Sequence, residues 1–457
     1  MAPSGDRPEY GCNAIGSTLE FMPENPTQRT SFAVIMRAMQ EQTANLRGVV
    51  FGLGIAAFAA YQQFKLPVVL PVLLERYGYE RTLAGGFVSV YAVAGLLLSV
   101  WLGRRVERIG PFKPVLIGLG IIIMGSLLAI AQPESGLIVL AGRALEGVGF
   151  AALAICGPVL ASANASPRQL PLVLGLSAAW IPFGQLSATA AAPIALALGD
   201  WQLLWWAGIA GAVCLALVTV RLQHDPHILF SAAPSQPTTP TCSAREQDPN
   251  SQAQRPTTHA ILSAHERNSL IVVACIFSLW SSQYFAFMTW LPQYLVEVHD
   301  LAVGDALLGY VVPIVAVIAF AVIAGALLRA GLRLGPLLIT ALISQAAVWW
   351  LLPFAGGGWG GVLALVVYGI GAGIVPTCLF ASPNAVLGAG RSPAAAFGVI
   401  MTGRNLGVLT GPVLLAWVAG SERAWNQGAL LFAVLTSIAL TLALLLSRRL
   451  SSPLRSP

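Results

Sequence analysis

Twelve apolar runs, each long enough to cross a lipid bilayer, constrain this chain more than any other feature of it. A helix needs about 20 apolar residues to span the hydrocarbon core. The runs cover roughly residues 48–74, 84–102, 112–132, 136–161, 170–198, 201–222, 269–295, 306–329, 335–354, 359–382, 394–419 and 426–447. Within lipid every backbone N–H and C=O must be satisfied inside the segment, which a helix does by itself. Composition agrees, since only 10% of the 457 residues are charged, against about 25% in soluble domains. The expected fold class is an all-α polytopic membrane protein with 12 transmembrane helices.

The runs divide six and six. Between them, residues 223–268 are rich in Pro, Ser, Thr and Gln and lack apolar periodicity, so they read as a disordered cytoplasmic linker. The expected organisation is a 1–47 cytoplasmic tail, a 48–222 bundle, the linker, a 269–447 bundle and a 448–457 cytoplasmic tail. Tail residues Phe32, Ile35, Met36 and Met39 read either as one face of an interfacial helix or as part of a disordered segment. No signal peptide is expected, because residues 1–47 are polar and charged. Positive charges set the orientation. With the N-terminus inside, the outer loops keep only Arg76, Arg81 and Arg423, while the inner loops and tails collect Arg104, Arg105, Arg108, Lys113, Arg168, Arg221 and most others. Both termini are therefore expected in the cytoplasm, with the protein in a cell (inner) membrane. The net charge of +6 is spread over short loops, which argues against nucleic-acid binding.

The halves also repeat. A shift of about 222 residues aligns Gln62, Phe64, Leu70-Pro71 and Leu74 with Gln283, Phe285, Leu291-Pro292 and Leu295, and Gly147 and Gly149 with Gly369 and Gly371. Six helices is an even number, so both copies enter from the same side. The repeat is parallel, about an axis along the membrane normal.

The loop between spans two and three reads Gly103-Arg104-Arg105-Val106-Glu107-Arg108-Ile109-Gly110-Pro111-Phe112-Lys113. This resembles the major facilitator superfamily, whose pattern there is Gly-x-x-x-Asp-(Arg/Lys)-x-Gly followed by basic residues. The resemblance extends over nearly all of residues 48–447. It departs at Glu107, where the family has Asp, and at Pro111-Phe112, which replaces a basic pair. The resemblance implies two pseudo-symmetric six-helix bundles and a cytoplasmic gating latch formed by Gly103, Glu107, Arg108 and Gly110. The alternative for these residues is positive-inside anchoring alone. Gly142-Arg143-Ala144-Leu145-Glu146-Gly147-Val148-Gly149 in span four looks like the family's second motif. Shorter matches at 175–184 and 289–292 resemble its cyanate-permease-like branch. An antiporter-type Gly-Pro pattern is incomplete in span five, and a fuller one, Gly407 to Pro412, lies in span eleven.

Three cations, Lys65, Arg143 and Arg404, and one acid, Glu146, lie at membrane depth. Such residues are costly in lipid and usually face a protein interior or wet cavity. Counted formally they sum to +2, an excess that a bound anion would relieve. The main expectation is a secondary transporter working by alternating access, coupled to protons and moving a small organic or inorganic anion. Its expected substrate-binding residues are Lys65, Gln62, Arg143, Gln283, Tyr284, Trp290, Arg404 and Asn405, and its expected proton carrier is Glu146. Arg143 and Glu146, three apart on one helix, read alternatively as a structural pair. Arg404 reads as a cargo contact, or as a partner of Glu146 or of backbone at the interface between the halves. Export of drugs or other amphipathic compounds is the second expectation, from the aromatic seventh span, and a non-transporting scaffold the third. No Walker loop, zinc-type histidine spacing or nucleophile elbow is present, so no enzyme activity, cofactor or metal is expected. The expected partners are a small molecule or ion, protons and the bilayer. A monomer is expected.

Overall fold

The computed structural model describes residues 45–451, apart from 167–168, 170–172, 174–175, 177–178, 226–227, 229–262, 355–357, 388–393 and 421–423. The expected interfacial helix at 32–39, most of the linker and Arg168 lie outside the described residues.

The first span is broken. Helix α1 (Leu46–Phe64) ends in a 3-10 turn at Pro67–Val69, and α2 (Leu70–Tyr77) completes the crossing. Pro67 and Pro71 lack the N–H a continuous helix needs, which is why the helix breaks here. The remaining spans of the first half are α3 (Arg81–Ile109), α4 (Phe112–Ala131), α5 (Gly136–Ala163), α6 (described over Trp180–Ala197) and α7 (Leu203–Leu222). The second half holds α8 (Ala264–His299), α9 (Val303–Arg329), α10 (Leu334–Leu351), α11 (Trp359–Leu387), α12 (Ala394–Ala419) and α13 (Trp425–Ser451). Eleven of the spans are long and apolar enough to cross a membrane over their described residues. Helix α8 starts five residues ahead of its apolar run, inside the stretch expected as linker. Ser263 and Glu266 form a reciprocal capping box that satisfies the first backbone N–H groups.

Two six-helix bundles result, and they are built alike. In the first, α1 packs on α5 and α6, α3 on α5, and α4 on α5 and α7. In the second, α8 packs on α11 and α12, α9 on α11, and α10 on α11 and α13. These are the same five pairings carried forward by six spans. The bundles meet mainly through α3 against α12 and α6 against α9. These two contacts also exchange under the repeat, so the interface is itself two-fold.

Helix α3 runs through most of the expected latch sequence and stops at Gly110, whose φ of +77° suits glycine and would strain other residues. Arg104, Arg105 and Arg108 are exposed on its last turns, and a Cβ placed on Gly103 would meet nothing within 4 Å. The side chain of Glu107 lies outside the described residues.

Candidate functional site

Breaking the first span leaves carbonyls without helical partners, and Arg143 on α5 satisfies them. Pro67 has no N–H for the Gln63 carbonyl four residues earlier. Arg143 Nη2 donates to that oxygen at 2.8 Å, and Nη1 donates to the Gln62 carbonyl at 2.8 Å. Its Nε donates to the Phe87 carbonyl on α3 at 3.1 Å, and the guanidinium lies over the Tyr91 ring at 4.4 Å. Arg143 therefore splices the break in the first span to α3 and α5.

One turn along α5, Glu146 gathers the rest. Its Oε2 accepts from Arg143 Nη1 at 2.6 Å and from the Tyr91 hydroxyl at 2.6 Å. Its Oε1 accepts from Lys65 Nζ at 2.8 Å and from the Ser126 hydroxyl at 2.5 Å. Lys65 also donates to Gln62 Oε1 at 2.6 Å and to Ser126 Oγ at 3.1 Å, so its three protons have three acceptors. The Trp205 ring lies 4.7 Å from the amine. Room for Glu146 comes from Gly125 on α4, where a Cβ would fall 2.9 Å from Glu146 Cγ and 2.5 Å from the Gly142 carbonyl. Lys65, Arg143 and Glu146 are wholly buried. Such a pair persists at 0% exposure only when its remaining donors and acceptors are also met.

The four expected intramembrane charges thus do not share one chamber. Two cations close on Glu146 inside the first bundle, giving a local charge of +1, and all three side chains are satisfied by first-bundle residues. Side-chain direction is the reason. Lys65 projects toward α4, α5 and α7, whereas its neighbour Phe64 stacks across the bundles on Phe285 at 5.9 Å.

Helix α8 repeats this arrangement with different chemistry. Gln283, the counterpart of Gln62, points into its own bundle, where Oε1 accepts from Trp349 Nε1 and the Tyr368 hydroxyl, each at 2.7 Å. Trp290 donates to the Pro412 carbonyl at 3.0 Å and so ties α8 to α12. Tyr284 faces the other way. It stacks on Trp280, and its hydroxyl approaches Gln185 Oε1 of the first bundle at 3.4 Å. Gln185 Nε2 also donates to the Tyr310 hydroxyl at 2.7 Å, and that hydroxyl donates to the Met288 carbonyl, the oxygen freed by Pro292, at 2.8 Å.

Arg404 and Asn405 lie on α12, the helix that faces α3 of the other bundle. Arg404 Nη1 donates to Asn405 Oδ1 at 3.0 Å, and the guanidinium lies 5.4 Å from the Phe285 ring centre. A Cβ on Gly95 of α3 would come 3.1 Å from Asn405 Nδ2, so Asn405 lies against the first bundle. Both residues are 8% exposed. Among the described residues no carboxylate lies within ion-pair distance of Arg404, and Glu146 is held by Lys65 and Arg143 instead.

A second cross-bundle device lies at the end away from the termini. Arg81 Nη2 at the start of α3 pairs with Glu297 Oε1 near the end of α8 at 2.6 Å. Glu297 also accepts from Gln293 Nε2 at 2.6 Å and from Trp425 Nε1 at 2.9 Å. Sequence reasoning missed this pair, together with Tyr91, Ser126, Gln185, Trp205 and Tyr310. The available signal was a polar residue interrupting an apolar run, as Ser126 and Gln185 do.

A sequence model of the Major Facilitator Superfamily matches residues 52–395. No curated protein matches the chain.

Proposed function

The chain belongs to the major facilitator superfamily of secondary transporters, and we propose that it moves a small anion, in symport with protons, at a site centred on Arg404. The observation that carries this reading is a buried cation at the bundle interface with no carboxylate beside it among the described residues. Transferring such a charge out of water is costly without a counter-charge, and an anionic cargo supplies one. Asn405 adds a polar contact to the cation, Phe285 adds an apolar wall, and Tyr284, next to Phe285 on α8, carries the polar surface on to Gln185 of the other bundle.

Alternating access would part α3 from α12 and α6 from α9 at one end at a time. Glu146 is the proposed proton carrier. Its proton would replace the Lys65 and Arg143 pairs, loosening the α1–α2 break from α5. Lys65, Gln62 and Arg143 then act in coupling, through that break, and Gln283 and Trp290 hold α8 in place for Tyr284. Gly103, Glu107, Arg108 and Gly110 form the proposed latch at the termini end, which the positive-charge bias assigns to the cytoplasm. The protein is proposed to work as a monomer in a cell inner membrane.

Uptake of labelled small anions into proteoliposomes, with and without a pH gradient, tests the reading. Arg404→Ala should abolish flux while Arg404→Lys keeps part of it. Undiminished anion flux in Arg404→Ala refutes the site. Export of amphipathic compounds is the second reading, favoured by the aromatic wall of Trp280, Tyr284 and Phe285. In that case dye efflux would survive Arg404→Ala.

A further inference from the structure

The two bundles differ most in what fills the same space. The register that pairs Gln62 with Gln283 carries Lys65 to Ala286, next to Phe287, and a shift of 222 residues carries Ser126 to Val348, Arg143 to Leu365 and Glu146 to Tyr368. The first bundle packs this space with its charged cluster. In the second bundle the counterparts Val348 and Leu365, together with Phe287, instead line a cavity of about 360 Å³. Leu291, Leu352 and Val362 extend its wall, and its polar side chains are those of Tyr294 and His299. Tyr368, stacked on Phe287 at 3.8 Å with its hydroxyl turned to Gln283, carries its polar atom away from the space. Small residues on α11, Gly361 and Ala364, keep it open.

Close-packed interiors leave few voids larger than a water molecule. An apolar cavity stays dry and takes up apolar guests. Part of the cavity wall also lies on an exposed apolar face of α11. Val362, part of its wall, is 40% exposed, beside Trp359 at 89% and Leu363 at 64% on the same helix. We infer that this cavity holds the acyl chain of a bilayer lipid, entering beside Val362. The chain replaces, by apolar contact, the packing that the ion cluster provides in the first bundle. The site is separate from the Arg404 region and stands whether or not the cargo is an anion.

Native mass spectrometry of the full-length protein, reconstituted with phosphatidylethanolamine and phosphatidylglycerol of defined chain length and then released from detergent, tests this. The wild type should keep a bound phospholipid through delipidation. Ala364→Phe and Gly361→Leu, which fill the cavity from two positions, should lose it. Gly120→Leu, where a Cβ meets nothing within 4 Å on an exposed face, should keep it. Thermal unfolding of each variant checks that the fold survives, and the proposal needs only one folded cavity-filling variant. Wild type without retained lipid, or filled variants retaining as much as wild type, overturns the proposal. So does a cavity that binds a soluble apolar dye, in a way Ala364→Phe blocks, while retaining no lipid.

Discussion

Glu146→Gln is the sharpest perturbation of the buried cluster, because charge bookkeeping and hydrogen-bond bookkeeping predict different orders of damage. Glu146 is the anion for two buried cations, Lys65 at 2.8 Å and Arg143 at 2.6 Å. Glutamine keeps the shape, removes the charge and turns an amide donor toward one of them. Removing one partner of a buried pair typically costs about 3–5 kcal/mol, a large share of a total stability of about 5–15 kcal/mol. Lys65→Met should do less. It leaves Glu146 paired with Arg143 and bonded to Tyr91 and Ser126, and it lowers the cluster from +1 to neutral. Its main loss is an acceptor, Gln62 Oε1, left without its donor, worth about 1–3 kcal/mol. At roughly 2–4 °C per kcal/mol for a unit of 150–250 residues, Glu146→Gln should melt several degrees below Lys65→Met. The double variant should recover part of the gap, since it leaves one uncompensated cation where Glu146→Gln leaves two. Cys156 and Cys378 are buried. With the other four cysteines replaced by serine, a thiol-reactive dye would report unfolding in detergent. If Lys65→Met melts at or below Glu146→Gln, the charge argument is wrong.

Three further outcomes follow from the same contacts. Arg81→Glu should open the end of the interface away from the termini by setting two carboxylates face to face, raising thiol labelling of a cysteine placed at Val413, whose backbone lies against Gly85 of α3, and the swap Arg81→Glu with Glu297→Arg should restore wild-type labelling; no recovery in the swap removes the ion pair as the cause. Tyr310→Phe strips the donor from the Met288 carbonyl that Pro292 leaves free, so it should cost about 1–3 kcal/mol, read as a lowered melting temperature, and an unchanged one would mean another donor takes its place. Glu80 caps α3 by accepting from the Thr82 N–H at 3.2 Å, and the hydrogen bonding to Thr82 holds its exposed carboxyl below the ordinary range. A lowered folded-state pKa stabilises above the unfolded value, about 4.3, and is lost as pH falls through the folded one; the small melting difference between wild type and Glu80→Gln should therefore exist at neutral pH and vanish in acid.

What the sequence by itself determined was depth and repetition. Run lengths placed the spans, since span length answers to the thickness of hydrocarbon. The nearly constant offset linking Gln62 to Gln283 and Gly147 to Gly369 announced two like halves. It also marked Lys65, Arg143, Glu146 and Arg404 as charges that need explaining. What only the tertiary structure decided was direction around each helix axis. Lys65 and Phe64 are neighbours at one depth, yet one faces Glu146 and the other faces Phe285 of the opposite bundle. Helix packing sets that azimuth through contacts such as Gly125 on Gly142, and through partners such as Ser126 and Gln185 that lie far away in the chain. An all-apolar span carries almost no amphipathic signal to reveal it. The same ambiguity hid the different fates of three buried cations, two closed on one carboxylate and a third left at the bundle interface.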